Sequence, residues 1–211
     1  MREVTRLTED DMIAAFVRAE LHSERFGGAL QAAMRRHGVP HRVVEQPNTA
    51  NAAQNAQRLA LLRDYRRYGL DRSLFSGFPY EDVVWSRVAL TRDEVLDIHY
   101  IDDEYWVELS GGTRLAADAA RRIRAGEAHP AHAAHFLRLA AALDRGVTFH
   151  EMVAVTAGHG RPLVALEGHL RLTVYALRPE CIPAPLTLIL GTSANMPRWG
   201  CYSPHTLRAA L

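Results

Sequence analysis

The sequence predicts an α/β domain that follows a helical N-terminal extension. Before residue 83, apolar side chains recur mainly at helical spacing, whereas after it short apolar runs typical of strands alternate with helical segments. Hydrophobic residues make up 48% of the 211 positions, which is enough for a sizeable core. We therefore expect a helical extension over residues 1–82 and a domain with a mixed sheet over residues 83–211.

The extension is predicted to consist of helices joined by short turns. Thr8 and Asp11 have the spacing of a helix cap, and the apolar residues after them recur every three or four positions. A turn-rich aromatic segment over residues 70–81 leads into the domain. The predicted elements are helices over about 9–24, 29–36 and 53–68 and a short strand over 41–45.

The domain is predicted to alternate strands and helices, with a hairpin near its start. An acidic run, Asp102-Asp103-Glu104, separates two apolar runs in the pattern of a hairpin turn. Predicted strands cover 83–90, 149–156, 162–166 and 186–190, and the hairpin covers 98–101 and 105–109. Helices are predicted over 115–125 and 131–143, and a short helix or a turn over 91–96.

The charged residues exclude several classes of enzyme. All 25 basic residues are arginine, so there is no lysine for a Walker-type phosphate loop, a pyridoxal Schiff base or an S-x-x-K motif. With 24 acidic residues the net charge is +1, which gives no overall basic field for nucleic acid. Cys181 and Cys201 lack C-x-x-C spacing and are expected to be reduced thiols.

The chain is expected to be cytoplasmic, without a membrane partner. Its first residues run into acidic positions instead of an apolar signal segment. No apolar run approaches the roughly 18 residues that a membrane-spanning helix needs.

Residues 164–177 carry the strongest functional signal. They read as a buried strand, a turn that contains Glu167, Gly168, His169 and Arg171, and a helix that begins inside the turn. Glycine lets a backbone approach a ligand closely, the N–H groups at a helix start favour an anion, and arginine binds phosphate at two points. The stretch therefore predicts a phosphate-binding turn. Glu167 beside an arginine has three interpretations: a structural ion pair, a magnesium ligand, or a base for a hydroxyl group.

A similar stretch occurs earlier in the chain. Residues 107–120 share with residues 164–177 the pattern V-x-L-x-G-x-x-R-L-x-x-x-A, which predicts a second strand, glycine turn, arginine and helix. Two such turns could hold one polyphosphate from two sides. The alternative is a chance match between two strand–turn–helix junctions, since arginine is abundant here. The residues of this predicted second wall are Ser110, Gly111, Gly112, Thr113 and Arg114.

The later stretch resembles the ParB/sulfiredoxin-like superfamily. The resemblance lies in the order of strand, Glu167-Gly168-His169-Leu170-Arg171, helix, Ile182-Pro183 and apolar strand. In that superfamily a G-x-x-R turn at a helix start holds nucleotide phosphates, and the acid before G-H-H-R in the ADP-dependent free-serine kinases matches this chain best. Leu170 departs from the kinase form. His169 stands where sulfiredoxin has its reactive cysteine, so sulfinic acid reduction is not expected.

The resemblance implies a ParB/sulfiredoxin-like fold with a site for ATP, ADP or CTP and for Mg²⁺. The implied activity is phosphoryl transfer to a small hydroxyl metabolite, or nucleotide hydrolysis. The residues expected to hold the phosphates are Gly168, His169, Arg171, Leu172 and Thr173. Glu167 and His169 are expected to take part in catalysis, with Glu167 as base or magnesium ligand.

The alternative is a nucleotide-gated module that binds DNA or another protein and catalyses little. Its contact surface would be the arginines of the third predicted helix, which are Arg58, Arg63, Arg66 and Arg67. The residues after Leu190 are too few for the helix-turn-helix domain that follows this fold in the partition proteins, so nucleic acid is not the expected partner. The sequence does not determine the oligomeric state, and a homodimer is one possible state.

Two other polar clusters are expected to be solvated. His129, His132 and His135 lie at helical spacing, but no carboxylate or fourth ligand accompanies them as in a zinc motif. The acidic run 102–104 is expected to be an exposed turn.

Overall fold

The fold is a mixed sheet with helices packed against it, as the computed structural model describes it for residues 1–203. The five strands are β1 Arg2–Arg6, β2 Val84–Leu90, β3 Val153–Thr156, β4 Val164–Glu167 and β5 Leu186–Thr192. They lie in the order β1-β2-β5-β3-β4, and the β3–β5 pair is parallel while the others are antiparallel. The predicted mixed α/β class is confirmed. Residues 204–211 of the predicted domain lie outside the described residues.

Nine α-helices accompany the sheet within residues 1–203. They are α1 Glu9–Glu20, α2 Gly27–His37, α3 His41–Glu45, α4 Ala52–Arg66, α5 Arg92–Leu96, α6 Glu104–Leu109, α7 Ala116–Arg124, α8 Pro130–Leu143 and α9 His169–Leu177. Thr8 caps α1 and forms the predicted capping box with Asp11, and Asn51 caps α4. None of the helices in this part of the chain combines the length and apolar character that crossing a membrane requires.

The centre of the sheet is buried on both faces. Every residue of β3 is buried, and β5 between β2 and β3 is buried at most positions. Strands covered on both faces read as continuous apolar runs, which is why β3 and β5 were predictable. β4 lies at one edge of the sheet, and α9, which follows it, packs against α7 and α8. The body of α9 is therefore held against two other helices.

The N-terminal segment contributes a strand to the sheet as well as helices. β1 pairs with β2 from Arg2 opposite Ala89 to Arg6 opposite Ser86. Its five residues are all exposed, so no apolar alternation marks the strand in the sequence. Apolar residues of α1, α2 and α4 belong to the same buried cluster as those of the sheet. The predicted domain boundary at residue 82 stays a prediction.

Two predicted strand regions are wrong. The predicted hairpin over 98–109 contains α6, because the side chain of Asp103 caps a helix in which Trp106 and Leu109 share the buried face. From the first arm of that hairpin, His99 alone makes isolated bridges, to Leu115 and Val164. The predicted strand over 41–45 is the short helix α3, which begins immediately after Pro40.

Candidate functional site

The β4–α9 turn has the predicted order of strand, glycine and helix. β4 ends at Glu167, Gly168 adopts a left-handed conformation with φ of 105°, and α9 begins at His169. A Cβ atom at position 168 would lie 2.6 Å from Cγ of Met152. Glycine is therefore required here by backbone conformation and by packing against Met152.

The start of α9 presents uncapped main-chain N–H groups. The first intrahelical bond runs from Leu172 N–H to the Gly168 oxygen at 2.9 Å, and Gly168 has no side chain to cap the preceding turn. No side chain of residues 1–203 accepts a hydrogen bond from the amides of His169, Leu170 or Arg171. Three N–H groups at the positive end of a helix make this position suitable for an anion.

The two residues predicted to extend the phosphate site lie deeper in the fold. Leu172 and Thr173 are fully buried. The Thr173 hydroxyl donates to the His169 oxygen at 2.8 Å and shares a hydrogen bond of 2.7 Å with the hydroxyl of Tyr100. These contacts hold α9 in place, while the uncapped amides lie one turn earlier.

Arg171 is buried, and protein oxygens hold its guanidinium. One terminal nitrogen donates to the main-chain oxygens of His150 at 2.6 Å and Glu151 at 2.9 Å, and the other donates to the carboxylate of Glu167. Burial lowers the pKa of Arg171 to about 10, and Tyr175 and Glu20 act in the opposite direction. The guanidinium thus fastens the turn to the segment before β3. Its predicted contact with phosphate stays a prediction.

Glu167 is observed in one of its three predicted roles, the ion pair with arginine. Its side chain is 13% exposed and that of Arg171 is 10% exposed. The two residues lie four positions apart on either side of the glycine turn. The Glu167 carboxylate therefore shows that the Arg171 guanidinium can bind an oxyanion at this position. The magnesium-binding and base roles stay predictions.

His169 lies in an aromatic layer below the turn. Its ring stacks on Trp106 with centroids 5.1 Å apart and an interplanar angle of 18°, and Tyr100 lies 6.1 Å away. Nε2 is shielded from solvent and has no hydrogen-bond partner among residues 1–203. Burial, with smaller contributions from the charges of Arg66 and Arg25, lowers the pKa of His169 to about 3. The imidazole is therefore neutral near pH 7 and contributes no positive charge to the turn.

The earlier turn, over 110–114, differs from its predicted structure. It follows helix α6 instead of a strand, so the predicted strand–turn–helix repeat is wrong at this copy. Gly111, Gly112 and Arg114 have positive φ angles, and the Ser110 hydroxyl accepts a hydrogen bond from the Arg114 N–H at 2.9 Å. The Thr113 hydroxyl donates to the Ser110 oxygen at 3.2 Å. The segment is a tight connection between α6 and α7.

Arg114 binds main-chain oxygens within the fold. Its Nε donates to Tyr100 at 2.9 Å, and a terminal nitrogen donates to Cys201 at 3.2 Å and Tyr202 at 2.9 Å. Tyr100 joins the two turns, because its hydroxyl contacts Thr173 of α9. In this structure Arg114 secures the segment after β5, and the predicted role of residues 110–114 as a second wall stays a prediction.

The predicted arginine surface on α4 is wrong for Arg58 and Arg66. Arg58 is fully buried and donates to the main-chain oxygens of Val43 and Asn48 and to the side chain of Asn55. The side chain of Arg66 is 15% exposed and lies 3.6 Å from a carboxylate oxygen of Glu20. Of the four arginines, Arg58 is buried, Arg66 is half-buried, and Arg63 and Arg67 are exposed.

The other predicted polar clusters show no metal-binding geometry. His132 packs against Tyr105, and His135 lies 3.4 Å from Glu24. The one group within residues 1–203 whose side chains could converge on a metal ion is Asp144, Glu180 and Cys181. Asp144 already pairs with Arg178 at 3.0 Å, and these acids are exposed.

The surroundings of His150, just before β3, include a residue that the sequence did not indicate. Arg18 of α1, His22 and His150 are exposed, and His150 lies close enough to Arg18, Arg171 and His22 for their charges to lower its pKa, after the larger effect of burial. The pattern of α1 predicts its buried face only. The proximity of Arg18 to a segment near residue 150 depends on tertiary packing and has no local signal.

A small cavity adjoins the same segment. Its volume is about 160 Å³, and it is lined by residues that include His150, Glu151, Met152 and Tyr175. Glu151, one of the lining residues, forms a salt bridge with Arg87, with 2.5 Å between Nε of Arg87 and a carboxylate oxygen of Glu151. Since Arg171 binds the main chain of both His150 and Glu151, the cavity wall and the β4–α9 turn are connected through a single side chain.

No protein-family model, curated protein or solved structure matches the chain. The ParB/sulfiredoxin-like resemblance thus depends on the residues of the turn and stays a prediction.

Proposed function

We propose that the protein is a nucleotide-dependent enzyme whose phosphate-binding element is the β4–α9 turn. The proposed reaction is phosphoryl transfer to a small hydroxyl metabolite, or hydrolysis of the nucleotide. The observation that carries the proposal is the set of three uncapped N–H groups at the start of α9, next to the buried pair of Glu167 and Arg171. A ParB/sulfiredoxin-like fold is part of the proposal.

The amides of His169, Leu170 and Arg171 hold a phosphate group of ATP, ADP or CTP in this proposal. They lie at the positive end of a helix of nine residues, where the aligned peptide dipoles favour negative charge. Because His169 is neutral, its role is to offer Nε2 as a hydrogen-bond acceptor and not to neutralise phosphate. Its expected catalytic role is limited to this acceptor function.

A phosphate at the turn competes with Glu167 for Arg171. Both are oxyanions, and a guanidinium binds either of them with two-point geometry. When a phosphate oxygen takes the terminal nitrogen that now contacts Glu167, the carboxylate is released. Arg171 then supports the bound nucleotide while it keeps its bonds to His150 and Glu151.

The released carboxylate can act as the base. The acceptor oxygen forms a bond to the terminal phosphorus as the bond to the leaving nucleotide oxygen breaks, and the acceptor proton passes to Glu167. Little further covalent help from protein is needed, because positioning and charge neutralisation account for most catalysis of phosphoryl transfer.

Glu167 is also the residue that would hold Mg²⁺. One carboxylate together with phosphate oxygens suits this ion, although the Glu167 oxygen that contacts Arg171 must first be released. Bound Mg²⁺ would supply neutralisation of the phosphate charge. The base and ligand roles of Glu167 are alternatives within the proposal.

Turnover measured by ³¹P NMR tests the proposal. The wild-type protein is incubated with ATP, ADP or CTP, Mg²⁺ and a mixture of small hydroxyl metabolites, and we expect loss of the terminal phosphate. Glu167→Gln should bind the nucleotide but turn it over about 10²-fold more slowly, the typical effect of losing a catalytic base. Binding without turnover in the wild type would favour the alternative of a nucleotide-gated binding module. If no nucleotide binds, the proposal is wrong in both forms.

A further inference from the structure

The cavity next to the segment before β3 has room for one six-membered ring. Its volume is about 160 Å³. An engineered apolar cavity of about 150 Å³ in another protein binds benzene, whereas drug-sized ligands occupy pockets of about 300 Å³ or more. A ligand of this cavity is therefore a small molecule with a single ring, and a whole nucleotide is too large for it.

Most of the cavity wall is apolar. The rings of Phe149 and Tyr175 meet edge to face, with their centroids 5.4 Å apart and an interplanar angle of 78°. The other apolar side chains of the wall are Met152, Pro183, Pro185 and Leu186. Such a wall favours a ring, because the ring buries apolar surface there without giving up hydrogen bonds to water.

The hydroxyl of Tyr175 has no partner in the protein. Tyr175 is only 5% exposed, yet no residue of 1–203 forms a hydrogen bond with its hydroxyl. Buried tyrosine hydroxyls ordinarily find a partner. The oxygen is not one of the unpartnered atoms in this part of the chain that are sealed from solvent, so it meets space that a ligand can enter. Because Tyr175 lines the cavity, we assign that space to the cavity.

The residues that line the cavity present no unpaired charge. Arg87 donates two hydrogen bonds to the carboxylate of Glu151, at 2.5 and 2.9 Å. Burial is the largest cause of a lowered pKa at His150, so its imidazole is mainly neutral near pH 7. Burial also raises the pKa of Tyr175, which keeps its hydroxyl protonated. A neutral ligand therefore suits this cavity better than an ion.

The polar side of the cavity is fixed before a ligand arrives. Arg171 donates to the main-chain oxygens of His150 at 2.6 Å and Glu151 at 2.9 Å. The main-chain oxygen of Met152 accepts a hydrogen bond of 2.9 Å from the N–H of Ile189 in β5. A wall that is already ordered adds little conformational cost to binding.

We propose that this cavity binds a small neutral compound that carries a hydroxyl group on a single ring. The ring lies among the apolar side chains, and its hydroxyl forms a hydrogen bond with the hydroxyl of Tyr175, which can both donate and accept. The inference goes beyond the proposed function and does not depend on it, because no nucleotide and no amide of the β4–α9 turn takes part.

The test uses phenol and toluene, which have nearly the same shape and differ in the hydroxyl group. Each probe is titrated into the ¹⁵N-labelled full chain and followed by amide ¹H–¹⁵N spectra. We expect saturable shifts at the amides of Glu151, Met152 and Thr187, which line the cavity. Phenol should bind the wild type about three- to tenfold more tightly than toluene, the usual effect of one hydrogen bond.

Tyr175→Phe removes the hydroxyl and keeps the ring against Phe149. The variant should bind phenol about three- to tenfold more weakly than the wild type and bind toluene equally well. The matched control is Tyr105→Phe, which removes the hydroxyl of a half-buried tyrosine that does not line this cavity. It should bind both probes as the wild type does. Circular dichroism melts confirm that the variants are folded.

Two results would overturn the inference. The first is an absence of saturable shifts at the cavity amides, including the case in which phenol shifts other amides. The second is an equal affinity of the wild type and Tyr175→Phe for phenol. If Tyr175→Phe does not fold, the wild type alone decides, and equal affinities for phenol and toluene overturn the inference. Nucleotide turnover is measured separately, so either proposal can fail while the other stands.

Discussion

Glu167 and Arg171 form a largely buried ion pair across Gly168, between the end of β4 and the start of α9. The same guanidinium binds the main chain of His150 and Glu151, so one side chain connects the turn to the segment before β3. The residues that a phosphate-binding interpretation requires are therefore also residues that hold this part of the fold together. Structural and functional effects of their substitution must be measured separately.

Arg171→Ala should be strongly destabilising. The substitution leaves the buried carboxylate of Glu167 without its partner and removes the donor to two main-chain oxygens. We expect a loss of about 3–5 kcal/mol in the free energy of unfolding, as for other broken buried ion pairs. Urea denaturation measures it, with Arg92→Ala as an exposed control. A loss below about 1 kcal/mol would show that the pair is not buried in solution.

Gly168→Ala should destabilise the protein more than a substitution at an equally left-handed but open glycine. At position 168 the φ angle is 105° and an added Cβ would lie 2.6 Å from Met152, whereas Gly160 has a φ of 71° and nothing within 4 Å of an added Cβ. We expect Gly160→Ala to cost about 1 kcal/mol for backbone conformation and Gly168→Ala about 2–4 kcal/mol because overpacking is added. Equal losses in thermal or urea unfolding would contradict the packing at Met152.

His169 should make stability depend on pH in a defined direction. Its folded pKa of about 3 lies below the ordinary value of 6.5, so between these values the unfolded chain binds more protons at this position. Stability is therefore lost as the pH falls from about 6.5 toward 3, by about 1 kcal/mol per pH unit if the site acts alone.

Comparison of the wild type with His169→Phe isolates this effect. Phenylalanine keeps an aromatic ring against Trp106 but cannot bind a proton. The difference in unfolding free energy between the two proteins, measured from pH 5 to pH 7, should diminish toward acid pH. A constant difference would mean that the pKa of His169 is the same in the folded and the unfolded chain, which would contradict the burial of its imidazole.

Arg58→Ala should be far more destabilising than Arg63→Ala, although both residues belong to α4. Arg58 is fully buried and bonds to the oxygens of Val43 at 3.0 Å and Asn48 at 3.2 Å, which holds α3 and the following turn against α4. We expect a loss of about 3–5 kcal/mol for Arg58→Ala and less than about 1 kcal/mol for the exposed Arg63. Similar losses for the two variants in urea unfolding would contradict the burial of Arg58.

The sequence predicts elements well where local chemistry determines them. The Thr8–Asp11 box marks the start of α1, and the continuous apolar runs mark β3 and β5 because both faces of these strands are covered. The strand, glycine and helix around Gly168 were also predictable, since the apolar run ends at a glycine whose conformation few other residues adopt.

Elements and sites that depend on distant partners were not predictable. β1 is exposed at every residue and becomes a strand only through its pairing with β2. The acidic run before Tyr105 suits a hairpin turn as well as a helix cap, and burial of Trp106 decides in favour of the helix. Arg58 reads as part of a solvated helix face until α3 is placed over it, and Arg18 becomes a neighbour of His150 only when α1 packs against the sheet.

The central claim, that the β4–α9 turn binds a nucleotide phosphate, is tested most directly by amide ¹H–¹⁵N spectra during titration with ATP and Mg²⁺. The measurement needs no substitution in the buried pair, so it does not depend on how well a variant folds. We predict that the largest saturable shifts occur at the amides of His169, Leu170 and Arg171, the three N–H groups that no side chain of residues 1–203 caps. Saturable shifts elsewhere with these three amides unchanged, or no saturable shifts at all, would contradict the claim.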